Sequence, residues 1–388
     1  MTTVKRSSHH LLFQLMSEPT APFREERIAA VALSWLTDQG IAHFIDPAGN
    51  ILIGCASAAD YRRLLARSTR EPARLLIAHM DHPGFHGQRW LSANRLALRW
   101  LGGSPVRGLN GARVWLADDD GEFAEGRLTK PRWRRDGHGL AGAEVVLTAT
   151  PTHPRPRANN IFGAFHFGKP FRLSGRRLYT RVADDLVGVY AVLQTARHAT
   201  RRAQPFLGLL TRGEEVGFVG ALAHFDRYRI ATSRRSVLAV SLETSRVLPG
   251  TKIGQGPIVR LGDRRGPFDP GYTQQLLAIA ARTLPGRHQR HLMDGGACEA
   301  TAALASGIPA IGISVPLGNY HNESFEGAPG YRRRGAPAPE FVHLDDVDGL
   351  LMLCRSLIKP DPGWRDPWQP TRRRLKQNRQ RYRRFIAD

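Results

Sequence analysis

"PFLGLLTRGEEVGFVGA" (residues 205–221) sets an apolar run against a turn that carries two adjacent carboxylates between glycines. The run reads as a buried strand. Gly213 and Gly217 give the chain the backbone freedom that a tight strand exit needs. An isolated Glu-Glu pair is most often a solvated loop. Glu214 and Glu215 take on a second meaning only if other strands also end in groups that bind metals or move protons.

Working outward, they do. "ARLLIAHMD" (73–81) is an apolar run that ends at His79, and "SVLAVSLE" (236–243) is one that ends at Glu243. "DDLVGVYAVLQTARHA" (184–199) reads as a helix opened by Asp184 and Asp185. "IPAIGISVP" (308–316) is a further strand, followed by His321 in "GNYHN". Singly, each has a structural explanation: a helix cap for the Asp pair, a satisfied histidine for His79 or His321. Together they are His and carboxylate groups only, all predicted near the carboxyl ends of strands, where open α/β sheets gather their sites. Two histidines with three or more carboxylates suit two divalent ions of the zinc, cobalt or manganese type.

The remaining elements keep the α/β rhythm. Ile28, Ala32, Trp35 and Leu36 lie at helical spacing in residues 24–40, with Gly40 as a stop, and "IAHFIDPAGNILIG" (41–54) reads strand, turn, strand. Residues 273–284, 297–307 and 345–358 read as helices. This pattern predicts a largely parallel sheet with helices on both faces. Between residues 86 and 175 the texture changes to short alternating runs such as "RLALRWL", "ARVWLA" and "AEVVLTAT", separated by Gly and Pro. Such a stretch predicts a small all-β module. The expected organisation is therefore a catalytic α/β domain from residues 1–85 and 176–360, the insertion at 86–175, and a basic tail at 361–388.

Composition narrows the function classes. No stretch of the 388 residues approaches the ~18 continuous apolar residues of a membrane span. The start, "MTTVKRSSHHLLFQLMSEPT", has an apolar patch too short for a secretory core, so a cytoplasmic protein is expected. Three scattered cysteines give neither a disulfide framework nor a thiolate metal site. The formal net charge is +22, and 50 of the 56 basic residues are Arg. The tail after Pro360 holds nine basic and three acidic residues and is of a kind that could touch nucleic acid or acidic partners. The excess charge is nevertheless spread along the whole chain, which argues against one dedicated nucleic-acid stripe.

The order "AHMDHPG", "ADDLVG", "GEEVGFVGA", "SLETS" and "NYHN" resembles the glutamyl aminopeptidase family of co-catalytic metallopeptidases, which includes the tetrahedral aminopeptidases. "DPAGNILI", "LALRWLGG", "GQGPIVRLGD" and "SGIPAIGISVP" agree with it in the same order, so the likeness runs from about residue 11 to 358. The resemblance implies a three-layer α/β/α, zinc-exopeptidase-like domain with an inserted β domain that acts as a lid and an oligomer contact. It implies that His79, Asp184 and Glu243 hold one metal, and Asp184, Glu215 and His321 the other. Glu214 would be the general base, Asp81 would orient His79, and Asp185 would support the bridging Asp184. The chain departs from the family pattern at Glu243 (usually Asp), Leu186, His82-Pro83, "GNYHN" and "GGACEA", where Glu299 stands as a possible substitute acid.

The expected activity is metal-dependent removal of N-terminal residues from peptides by a homo-oligomer. A two-metal deacylase or carboxypeptidase acting on small amides is the alternative enzyme. A non-catalytic binding protein that kept the fold is the alternative outside catalysis.

Overall fold

The computed structural model describes residues 9–135, 139–149, 155–324 and 335–386. The first eight residues of the N-terminal stretch, and residues 136–138 and 150–154 of the predicted insertion, lie outside that description. A nine-stranded sheet forms the centre of the protein. Leu207–Thr211, Ala73–His79, Val237–Arg246 and Ala310–Leu317 lie side by side in that order and are all parallel. Their residues alternate between two cores. Leu76 and Ala78 pack with the helices Leu186–Arg201, Leu344–Leu357 and Pro270–Thr283 on one face. Leu75 and Ile77 pack with Ala58–Leu65, Val219–Tyr228 and Glu299–Ala305 on the other. The layers are therefore helix, sheet, helix, with strands buried on both faces as a parallel sheet requires.

The sheet is mixed rather than largely parallel at its flanks. His43–Ile45 and Ile51–Ile53 form an antiparallel hairpin that pairs antiparallel with Leu207–Thr211. The Asp46–Asn50 turn is too short for the crossover that a parallel pair needs. Ile258–Asp263 pairs antiparallel with Ala310–Leu317 at the other side. The short helices His10–Ser17 and Ala58–Leu65 carry too few turns for a clear period in the sequence and were not predicted.

Between the central strands the chain closes a six-stranded barrel from Gly84–Trp90, Arg95–Leu101, Leu140–Leu147, Gly121–Trp133, Arg113–Asp118 and Phe162–Phe165. Phe85, Leu98, Trp100, Leu116, Val145 and Phe165 fill its interior. Phe171–Ser174 is not a barrel strand. It pairs with Arg177–Thr180, which pairs in turn with Glu340–His343. This small sheet sets Glu340 opposite Thr180, just upstream of the Asp184-Asp185 pair. Among the described residues no helix is long and apolar enough to cross a membrane.

Candidate metal centre

Thr211 is in register with His79 on the neighbouring parallel strand, so the Glu214-Glu215 turn leaves the sheet beside the histidine. Gly213 and Gly217, at φ 61° and 112°, bracket the turn. A Cβ on Gly213 would also come within 2.8 Å of the Phe23 ring, so glycine is required there by conformation and by space. The buried carboxylate of Asp81 accepts the backbone N–H of Glu214 at 3.0 Å and of Glu215 at 3.1 Å. Glu25 accepts the N–H of Gly213 at 3.0 Å and the Arg212 Nε–H at 2.6 Å. The turn is thus held from beneath by two carboxylates, which fixes where both glutamate side chains start.

Asp185 caps the helix Leu186–Arg201, accepting the Gly188 N–H at 3.1 Å, and also accepts the Thr244 hydroxyl at 3.0 Å. Asp184, one residue earlier, is left to face His79 and His321. Glu340 accepts the N–H groups of Ala183 (2.7 Å) and Asp184 (3.1 Å) with one oxygen and that of His321 (3.0 Å) with the other. One fully buried carboxylate therefore joins the loops that carry Asp184 and His321. His82 adds a second tie: its Nδ1 lies 2.7 Å from the Asp184 carbonyl oxygen and its Nε2 3.3 Å from Asn322 Oδ1.

The side chains so placed converge. His79 Nε2 lies 3.5 Å from Asp184 Oδ1 and 4.0 Å from Glu214 Oε2. His321 Nε2 lies 3.2 Å from Glu215 Oε1 and 3.8 Å from Asp184 Oδ2. Asp184 thus turns one oxygen toward each histidine. Two groups of three ligand atoms fall within 4.8 Å of one another: His79, Asp184 and Glu215, and His79, Glu214 and Glu243. Asp184 Oδ1, Glu215 Oε1 and His321 Nε2 are buried and make no hydrogen bond. Buried polar atoms are normally satisfied, so orphaned oxygens and an imidazole nitrogen clustered this closely fit a cation.

The electrostatics agree. Burial pushes the Glu214 carboxyl well above its usual value, and Glu215 and Glu299 add to the shift against the opposing His79. Glu243 is pushed up by burial, Cys298 and Glu299. Burial alone would pull the His79 imidazole down, but Glu214, Asp184 and Asp81 outweigh it and hold it well above its usual value. His321 is raised in the same way, chiefly by Glu215. Without a metal, protons take over part of the compensation that the carboxylates need.

The five predicted ligands, His79, Asp184, Glu215, Glu243 and His321, thus lie in one cluster with Glu214. Three details differ from the expectation. Glu214, expected to stand apart from the ligands, falls in a ligand-distance group with His79 and Glu243. Asp81 meets His79 Nδ1 through its backbone oxygen at 3.1 Å, its carboxylate lying at 3.6 Å, because the carboxylate is taken up by the Glu214 and Glu215 N–H groups. Glu243 sits inside the strand Val237–Arg246 rather than at its exit. Glu299 is buried and accepts the Thr211 hydroxyl at 2.8 Å.

Sequence reasoning missed Glu340, whose part depends on a pairing between strands 160 residues apart, and Gly103. A Cβ on Gly103 would lie 2.0 Å from His321 Nδ1, so the Gly102-Gly103 pair after a barrel strand brings the barrel's edge against the histidine. Only the glycine pair itself, "WLGGS", signalled a close backbone approach.

The domain is thus helix, sheet, helix with an inserted barrel, and it carries a buried His–carboxylate cluster toward the carboxyl side of its sheet. Residues 163–326 match the family model of the M42 glutamyl aminopeptidases. No curated protein sequence matches the chain. Among solved structures, the fold is shared with a TET aminopeptidase from a marine sediment Thaumarchaeota archaeon, at TM-score 0.71 and 19% identity over 91% of this chain and 96% of that one. An aminopeptidase of Desulfurococcus kamchatkensis gives TM-score 0.71 and 21% identity over 92% and 96%. A TET peptidase of Pyrococcus horikoshii, one that can assemble into a tetrahedron or a large octahedral shell, gives TM-score 0.68 and 21% identity over 90% and 98%.

Proposed function

We propose that this protein is a metal-dependent aminopeptidase, and the convergence of His79, Asp184, Glu215, Glu243 and His321 around one buried cluster carries the reading. His79 and Glu243 would hold one divalent ion and Glu215 and His321 another, with Asp184 between them; zinc, cobalt and manganese all suit such donors. When bound, the ions supply Lewis acidity to the scissile carbonyl and make water a stronger acid near neutral pH. The chain's own part is to position and to move protons. Glu214, ionised once the cations are bound, would take the proton of the attacking water at a carboxylate oxygen and return it to the leaving amine. Asp81 and Glu25 keep the turn from shifting while it does so. Beside Glu243 lies a small cavity lined by Ser245, Arg246, Arg260, Met293 and Tyr320.

The test is a series of aminoacyl-coumarins with free and acetylated amines, offered to metal-stripped enzyme reloaded with zinc, cobalt or manganese. An aminopeptidase cleaves only the free-amine compounds. Equal cleavage of the acetylated ones would turn the assignment to a deacylase, and cleavage of neither to a binding protein.

The similarity to a peptidase that builds shells further supports a homo-oligomer for this chain, with a dimer as the smallest unit. Light scattering at micromolar concentration should then give at least twice the chain mass of 43.1 kDa; a monomer would reject that reading.

A further inference from the structure

The C-terminal tail plays no part in the centre described above, and its structure poses a separate question. Gln369–Tyr382 is an α-helix and Arg383–Phe385 continues it as a 3-10 turn, and none of these residues is buried. From Arg372 to Arg384 there are eight basic residues and no acidic one. Arg373 and Lys376, and Lys376 and Arg379, lie one turn apart and repel each other; such pairs destabilise a helix in water. Arg372 pairs with Asp366. An isolated helix of 14 residues is marginal even without that repulsion. A partner bearing dense negative charge would turn the repulsion into attraction.

We propose that this helix is a docking surface for single-stranded nucleic acid. The charge calls for a polyanion, and three further features select among polyanions. First, Arg372, Arg373 and Arg374 are consecutive and so spread over more than half the helix circumference, which suits a strand that can wrap and not a flat sheet of lipid headgroups. Second, the exposed apolar residues of the helix are Leu375 and Tyr382, seven residues apart. That is one per two turns, where a helix lying in a membrane interface presents three or four. Third, two of the exposed apolar side chains beside the cations are aromatic, Tyr382 and Phe385 at 70% exposure, with Leu375 and Ile386 the aliphatic ones. Flat rings beside arginines are what unpaired bases stack on. A 14-residue helix is about 21 Å long, room for roughly six phosphates at duplex spacing.

The experiment compares the full chain with a chain ending at Trp368, which keeps the Pro367 and Trp368 contacts to Gly271. Fluorescence anisotropy measures binding of a labelled oligouridylate of about twelve nucleotides, of a duplex of equal phosphate number, of phosphatidylserine vesicles and of polyglutamate, across a salt series. The full chain should bind the single strand best, with a log–log salt slope of about −4 for six phosphates. Truncation should weaken that binding at least tenfold and flatten the slope, while the melting curve stays unchanged. The Tyr382→Ala/Phe385→Ala chain should lose affinity for the single strand but keep its affinity for the duplex. Equal binding by the truncated chain would overturn the proposal, and so would tighter binding of vesicles, of polyglutamate or of the duplex.

Discussion

Glu214 and Glu215 are neighbours on one turn, hung from the same Asp81 carboxylate, yet they point to different partners. Glu215 Oε1 lies 3.2 Å from His321 and Glu214 Oε2 4.0 Å from His79. The proposed roles separate cleanly by mutation. Glu214→Gln keeps the shape but removes the proton acceptor, so kcat should fall by about 10²–10⁴ while two metals per chain remain. Glu215→Ala should lose one metal, measured by atomic absorption, together with activity. Because Glu214 also lies at ligand distance from His79 and Glu243, a metal lost from Glu214→Gln and kept in Glu215→Gln would exchange the two roles.

Elements enter where a single side chain ties two of them together. Glu340, at the start of the strand Glu340–His343, accepts N–H groups from the Asp184 loop and from the His321 turn. Asn319, His321 and Asn322 all hold positive φ, a conformation that needs outside support for residues other than glycine. Burial and the Asp184 charge push the Glu340 carboxyl up to about 8; the fold accepts that cost for three hydrogen bonds. Glu340→Ala should therefore loosen both loops at once, lowering metal affinity by about 10–100-fold as lost outer ligand support does elsewhere. Glu340→Gln keeps one acceptor oxygen and should recover part of that affinity, read by isothermal titration with zinc. No change in metal affinity in either variant would make Glu340 a bystander.

Across the whole molecule, the buried cluster couples metal, protons and stability. His79 and His321 are raised above their usual values in the metal-free chain. A raised histidine adds stability that is complete below its unfolded pKa, about 6.5, and is lost as pH rises through the folded value. The raised Glu214 and Glu243 act in the same direction, since the folded chain holds protons that the unfolded chain has released. Metal needs neutral imidazole and ionised carboxylate, so its binding expels protons and strengthens as pH rises. The metal-free protein should thus melt lower as pH goes from about 6 to about 8, and the gap to the zinc-loaded protein should widen. One ion at a hundred times its Kd contributes about 2.7 kcal/mol, or roughly 3–5 °C in Tm for a chain of this size. Scanning calorimetry with and without chelator checks both signs; a gap that narrows with pH would contradict the proton count.

The sequence by itself determined the class of the fold and the residue types of the site. Apolar runs of strand length, alternating with helical periods, imply an α/β sheet whatever the details, because each run must bury both faces. Glycine-flanked carboxylates and histidines at the ends of those runs marked the cluster before any distance was known. Tertiary structure alone decided three things. The antiparallel pairing of Ile51–Ile53 with Leu207–Thr211 and of Ile258–Asp263 with Ala310–Leu317 follows from which strands meet, which local pattern does not encode. Glu340 and Asp81 act through backbone N–H groups, and an accepting carboxylate leaves no spacing signal when its partner lies far away in the chain. Gly103 matters because the barrel's edge comes to rest against His321. Sequence fixes which groups a strand end carries; only packing fixes which ends face one another, since that depends on contacts between segments far apart in the chain.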